Sequence, residues 1–92
     1  MDRITQYKKS IFVLFMVIDH FLNSHSSTRL RNNLVRQKLA LHQARDFKKA
    51  IDQLLSNKPD ALPATCDDIE ALKSIAKRLE RFISQYEGGG DD

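Results

Sequence analysis

The chain has 92 residues, of which 41% are hydrophobic and 29% are charged. This length accommodates one small domain with a packed core, and the apolar content excludes a chain that is disordered throughout. All three Gly residues lie near the C-terminus, and there are only two Pro residues. So few turn-forming residues favour long helices over a strand-rich fold.

The net charge of +3 is unevenly distributed along the chain. Residues 23–58 contain eight Lys and Arg against two Asp, whereas residues 59–92 contain four Lys and Arg against eight Asp and Glu. The acidic end can neutralise the basic middle within the fold, or the basic middle can face an anionic partner. The single cysteine, Cys66, excludes an internal disulfide and is typical of a reducing compartment, so we expect a cytoplasmic protein.

The first predicted helix spans residues 2–23 and begins at Asp2, whose carboxylate can accept a hydrogen bond from a backbone N–H of the first turn. Apolar residues recur at every third or fourth position, as in coiled coils and in helices packed nearly parallel to a neighbour. They are Ile4, Tyr7, Ile11, Leu14, Ile18 and Phe21. A polar stretch follows this helix and is expected to be a short loop.

The second predicted helix spans residues 28–56 and ends before Asn57-Lys58-Pro59, because the residue before a proline disfavours the helical conformation. Its buried face is expected to consist of Leu30, Leu34, Leu41, Ala44, Ile51 and Leu55. The third predicted helix spans residues 65–86, with Thr65 as its N-cap. Its buried face is expected to consist of Ile69, Leu72, Ile75, Ala76, Leu79, Phe82, Ile83 and Tyr86.

Short loops between long helices favour antiparallel neighbours. We therefore predict an all-α fold, an antiparallel three-helix bundle with up-down-up topology. Residues 1–87 would form this single domain, and residues 88–92 a flexible tail of Gly and Asp. A helical hairpin that dimerises into a larger bundle is the alternative.

Eight consecutive apolar residues occupy positions 11–18. As a helix they would extend about 12 Å, too short for a hydrocarbon core of about 30 Å, so no membrane span is expected. Polar residues follow directly and no Ala-x-Ala site is present, which disfavours a secretory signal.

Part of this apolar run is predicted to face away from the bundle. Val13, Met16 and Val17, together with Phe12, would form an exposed apolar flank, a feature typical of contact surfaces. The alternative is that a neighbouring helix covers them. Exposure would indicate a protein–protein interaction module, such as an adaptor, assembly factor, chaperone or regulator, that binds a protein partner or a second copy of itself.

A row of basic residues lies along one side of the second predicted helix. Arg31, Lys38, Arg45 and Lys49 fall within a narrow arc and extend about 27 Å along the axis. Such a row can follow a phosphate backbone, so the alternative function is a nucleic-acid-associated protein. A solvated helix face explains the same row without any ligand.

Few residues in the sequence indicate catalysis. The chain has no glycine-rich phosphate loop, and its three His residues and one Cys are not spaced as metal ligands, so no enzyme, cofactor or metal is expected. Residues 36–42 resemble the Arg–His motif of the RNA-cleaving HEPN helical domains. The resemblance implies that Arg36 and His42 would be catalytic across a dimer. It covers seven residues, and the chain lacks the additional helix of that fold.

Overall fold

The structure is a computed structural model that describes residues 2–25 and 33–88. The described residues form three helices and no strand: α1 (Arg3–Ser24), α2 (Leu34–Ser56) and α3 (Asp67–Gly88). Each helix contacts the other two. The predicted all-α, three-helix bundle is therefore confirmed.

The helix starts reflect local capping. Asp2 caps α1 as predicted, because its Oδ1 accepts a hydrogen bond of 3.1 Å from the N–H of Ile4. The predicted start of the second helix at residue 28 is wrong, because Asn33 has an extended backbone (φ −132°, ψ 98°) and α2 begins after it. The side chain of Asn33 accepts a hydrogen bond of 3.1 Å from the N–H of Arg36. Residues 28–32 lie outside the described residues.

The third helix also starts later than predicted. The carbonyl of Cys66 accepts the first helical hydrogen bond, at 3.0 Å from the N–H of Glu70. Cys66 therefore occupies the N-cap position that the sequence pattern assigned to Thr65, and α3 begins at Asp67. Three acidic residues lie in its first turn, where the positive end of the helix dipole favours negative charge.

Pairs of contacting side chains define how the helices lie against one another. Lys8 pairs with Asp68 and Asp19 pairs with Arg78, so residue numbers increase together along α1 and α3. Arg45 pairs with Glu87 and Lys48 pairs with Glu80, so residue numbers run in opposite senses along α2 and α3. The ring of Phe21 in α1 contacts the rings of Phe47 in α2 and Phe82 in α3.

The core lies mainly along α3, which packs along both α1 and α2, whereas α1 and α2 meet over a shorter stretch. Most of the apolar face predicted for the third helix is buried, and Ile83 and Tyr86 are partly buried. The largest fully buried side chains are Ile18, Ile51, Ile69, Leu72, Ile75 and Leu79.

The loop between α2 and α3 closes one end of the bundle. Leu62 in this loop is buried against the core, a role that the sequence analysis did not predict. The Nζ of Lys58 donates hydrogen bonds to the carbonyls of Pro59 and Leu62 and so holds the turn. At the same end, the hydroxyl of Tyr7 donates a 2.6 Å hydrogen bond to the carbonyl of Leu54 and ties α1 to the last turn of α2.

The start of α2 contrasts with this closed end. The first buried residue of α2 is Ala40, and the residues of α2 before it are exposed except Gln37, which is partly buried. Leu34 was expected in the buried face, and that prediction is wrong, because its side chain is 71% exposed. Val35 and Leu39 are exposed as well.

Candidate interaction surface

Four large apolar side chains lie on the surface of α1. Phe12, Val13, Met16 and Val17 are 62%, 52%, 53% and 45% exposed, respectively. These are the residues that the sequence analysis singled out, and neither of the other two described helices covers them. We call this group the α1 flank.

The α1 flank lies opposite the buried side of the same helix. At about 100° per residue, the buried side chains of Tyr7, Ile11 and Ile18 fall in one narrow arc. The four flank residues span roughly 140° on the other side and extend about 7.5 Å along the helix axis. Helix α1 is therefore apolar on two sides, and the bundle buries only one of them.

An open depression of about 550 Å³ runs along the edge of the α1 flank. Val13 and Val17 form part of its apolar wall, and Lys9 lies at its border. The other lining residues are Gln6, Ser10 and Leu14. All six belong to α1, so the depression is a shallow surface feature rather than a cleft between helices.

Charged residues border the α1 flank at both ends. Asp19 accepts a 3.0 Å hydrogen bond from the Nη1 of Arg78 and lies within 3.4 Å of the Nδ2 of Asn23. Lys8 pairs with Asp68 at 4.0 Å. Lys9 is exposed and forms no ion pair with another residue of the described ranges.

A second exposed apolar group lies at the start of α2 and was not predicted. Leu34, Val35 and Leu39 are 71%, 69% and 65% exposed. Val35 and Leu39 fall on the side of α2 opposite Ala44 and Ile51, so a helical projection of α2 alone would have revealed them. Leu34 was missed because the predicted helix continued before Asn33 and placed this residue within the bundle.

The basic row predicted along the second helix is only partly available to a ligand. Lys38, Arg45 and Lys49 are exposed, whereas Arg31 lies outside the described residues. Arg45 pairs with Glu87, and the neighbouring Lys48 lies 3.9 Å from Glu80. The acidic end of the chain thus neutralises part of the basic middle, as one of the two alternatives predicted.

The fold alters the acidity of the buried hydroxyl of Tyr7. Burial raises the pKa of Tyr7 above its ordinary value of 10.0, and the nearby Cys66 raises it further. Because the neutral hydroxyl donates its hydrogen bond to the carbonyl of Leu54, the contact depends on the protonated form. Tyr7 thus has a structural role at the closed end of the bundle.

The residues of the HEPN-like segment are exposed on α2. The Nε2 of His42 lies 3.7 Å from the Oδ2 of Asp46, one turn further along the helix. Arg36 is exposed near the start of α2, and its side chain has no described acidic partner. Within residues 2–25 and 33–88, no group of three His, Cys, Asp or Glu side chains is arranged to hold a metal ion.

Comparisons with known proteins found no matching protein family, no matching curated protein and no matching solved structure. In the part of the chain that the structure describes, none of the helices combines the length and apolarity needed to cross a bilayer. The likeness of residues 36–42 to the HEPN motif therefore stays a resemblance of seven residues.

Proposed function

We propose that the protein is a small helical protein–protein interaction module, of the adaptor, assembly-factor, chaperone or regulator kind, and that the α1 flank is its contact surface. One observation carries this proposal. Phe12, Val13, Met16 and Val17 are each 45–62% exposed on the side of α1 that faces away from the bundle. Apolar residues grouped in this way are typical of surfaces that bind another protein.

The exposed apolar area sets how much free energy a contact at this surface can supply. Full burial of one such side chain contributes about 1.5–3 kcal/mol, so burying the exposed half contributes about 1 kcal/mol for each residue. The four residues together would then contribute about 4 kcal/mol, at the low end of the roughly 4–15 kcal/mol that association costs, so apolar surface of the partner must add to it. Their exposure brings the folded monomer none of this stabilisation.

A photo-crosslinking amino acid at Met16 tests the proposal in cells of the native host. We expect a covalent adduct with a protein at this position, because the side chain is 53% exposed within the α1 flank. The matched control carries the same amino acid at Ser84, an exposed polar position on α3. Absence of adducts at Met16, or equal adducts at both positions, would contradict the proposal.

A nucleic-acid-associated function is the second candidate. Lys38 and Lys49 are exposed on α2 and pair with no acidic residue in the described ranges. If these two lysines contact phosphates, raising the salt concentration from 50 to 200 mM should weaken the binding of DNA about tenfold. Fluorescence anisotropy with a labelled duplex measures this dependence. Binding that is absent, or unchanged by salt and by the double substitution Lys38→Glu and Lys49→Glu, would exclude this candidate.

A further inference from the structure

We propose that the occupant of the α1 flank is a second copy of this chain, whose own α1 lies antiparallel across it. This inference rests on the proposed function, because it names the partner of the same surface. It follows from the spacing of the apolar residues along α1 and from the charges at the two ends of the flank.

The spacing of the α1 flank is symmetric about its centre. Two apolar residues, Phe12 and Val13, are separated by two positions from another two, Met16 and Val17. A two-fold symmetric contact requires a surface that is complementary to itself after reversal. With the two-fold axis near Leu14, Phe12 of one copy lies against Met16 of the second copy, and sulfur–aromatic contacts of this kind are favourable.

The remaining two flank residues fit the same arrangement. Val13 and Val17 lie together on one side of the line that joins Phe12 and Met16. In an antiparallel helix pair, each such side meets the same side of the second copy. With the axis at the level of Leu14, Val13 of one copy lies about 3 Å along the axis from the levels of both Val13 and Val17 of the other, so the valines flank the central pairs and add to the apolar contact.

The charges at the two ends of the α1 flank are complementary under the same two-fold symmetry. Lys9 lies seven residues before Met16, and Asp19 lies seven residues after Phe12. Both charged residues therefore continue the line along α1 that joins Phe12 and Met16. The axis near Leu14 brings Lys9 of each copy beside Asp19 of the other. Lys9 has no ion-pair partner among the described residues, and a carboxylate that is bound by Arg78 retains further acceptor sites.

The interface is small, which determines how it must be measured. A contact between single helices buries less than the roughly 800 Å² per partner of a standard interface. We therefore expect a dissociation constant on the order of 0.1–1 mM, because the cost of association offsets much of the apolar burial of two such flanks. Self-association should appear between about 10 µM and 1 mM, and dilute solutions should contain the monomer.

Analytical ultracentrifugation of the purified chain over this concentration range tests the inference. The double substitution Val13→Asp and Val17→Asp should yield a monomer at every concentration, with circular dichroism unchanged because both side chains are exposed. The matched control is Leu39→Asp, which places the same charge on a side chain that is 65% exposed on α2. This control should dimerise as the unmodified chain does.

A charge exchange tests the antiparallel orientation. Lys9→Glu places like charges opposite each other at both symmetric positions, so dimerisation should weaken about tenfold. Adding Asp19→Lys together with Arg78→Glu, which keeps opposite charges between α1 and α3, restores opposite charges across the interface and should recover the lost affinity. Failure of this triple variant to recover, in a chain whose circular dichroism is intact, would overturn the antiparallel pairing.

The outcomes separate this inference from the proposed function. A chain that stays monomeric up to 1 mM would overturn the inference. So would a dimer that is lost in Leu39→Asp but persists in the double variant Val13→Asp and Val17→Asp. Crosslinking at Met16 would then still decide the proposed function, since an adduct with another protein supports it. An adduct with the mass of two copies supports both.

Discussion

Helices α1 and α3 have nearly the same length but use their surfaces in opposite ways. In α3 the apolar side chains are buried or partly buried, and the other side is polar. In α1, four large apolar residues lie on the outside, although five others are buried in the bundle. The difference shows that the bundle is organised around α3 and that α1 leaves part of its apolar surface exposed.

Charged contacts follow the same division. Within the described residues, each of the four ion pairs between different helices includes a residue of α3. The acidic residues among them lie mostly on α3, and three of the basic residues lie on α1 or α2. No comparable contact covers the α1 flank in the described part of the chain. The polar side of α3 therefore contacts the other helices, whereas the α1 flank does not.

The largest expected effect separates a buried residue of α3 from an exposed residue of α1. Leu72→Ala removes a side chain that is 0% exposed, and the resulting cavity should lower the free energy of unfolding by about 2–5 kcal/mol. Met16→Ala removes a side chain that is 53% exposed and should change the same quantity by less than about 0.5 kcal/mol. Urea denaturation at low protein concentration measures both.

A smaller effect tests how α1 is attached to the closed end of the bundle. Tyr7→Phe removes the hydrogen bond to the carbonyl of Leu54 and should cost about 0.5–1.5 kcal/mol. That carbonyl also accepts a hydrogen bond from the N–H of Asn57, which limits the loss. A cost near zero in urea denaturation would show that this bond does not stabilise the bundle.

The raised pKa of Tyr7 also predicts that the stability of the fold depends on pH in the alkaline range. Because the folded pKa of Tyr7 is raised, the folded chain keeps a proton that the unfolded chain loses as the pH rises above 10.0. The contribution of Tyr7 to stability is thus complete below pH 10 and declines above it. Denaturation midpoints between pH 9 and 11 should fall more steeply for the unmodified chain than for Tyr7→Phe. Equal slopes would contradict this prediction.

The smallest expected effect concerns the ion pairs of α3. Arg45 and Glu87 are both about half exposed, so Arg45→Ala should cost only about 0.2–1 kcal/mol. The cost should decrease in 1 M salt, because exposed charges are screened. A loss comparable to that of Leu72→Ala would show that charge, rather than apolar burial, holds α2 against α3.

Much of the fold could be predicted because each helix carries a regular apolar pattern. The third helix has a polar side opposite its apolar side, so its buried face was predicted residue by residue. The N-cap at Asp2 was also predictable, because a carboxylate at that position satisfies a free N–H. The α1 flank could be located because eight consecutive apolar residues must cover the full circumference of a helix.

The remainder depended on contacts that periodicity does not reveal. The apolar pattern of the second helix continues before Asn33, whereas α2 begins after it, where the extended Asn33 accepts a hydrogen bond from the N–H of Arg36. Leu34 follows directly and belongs to the apolar pattern, yet neither of the other two described helices covers it. Leu62 lies in a loop with no periodic pattern, and its burial results from the turn that Lys58 holds.

The central claim is that the α1 flank is exposed in the monomer and buried by a second copy. Methyl NMR spectra recorded over a dilution series from 1 mM to 10 µM test it most directly. We expect the methyl signals of Val13, Met16 and Val17 to shift with concentration, and those of Val35 and Leu39 to remain constant. Signals that do not shift, or shifts at Val35 and Leu39 instead, would contradict the claim.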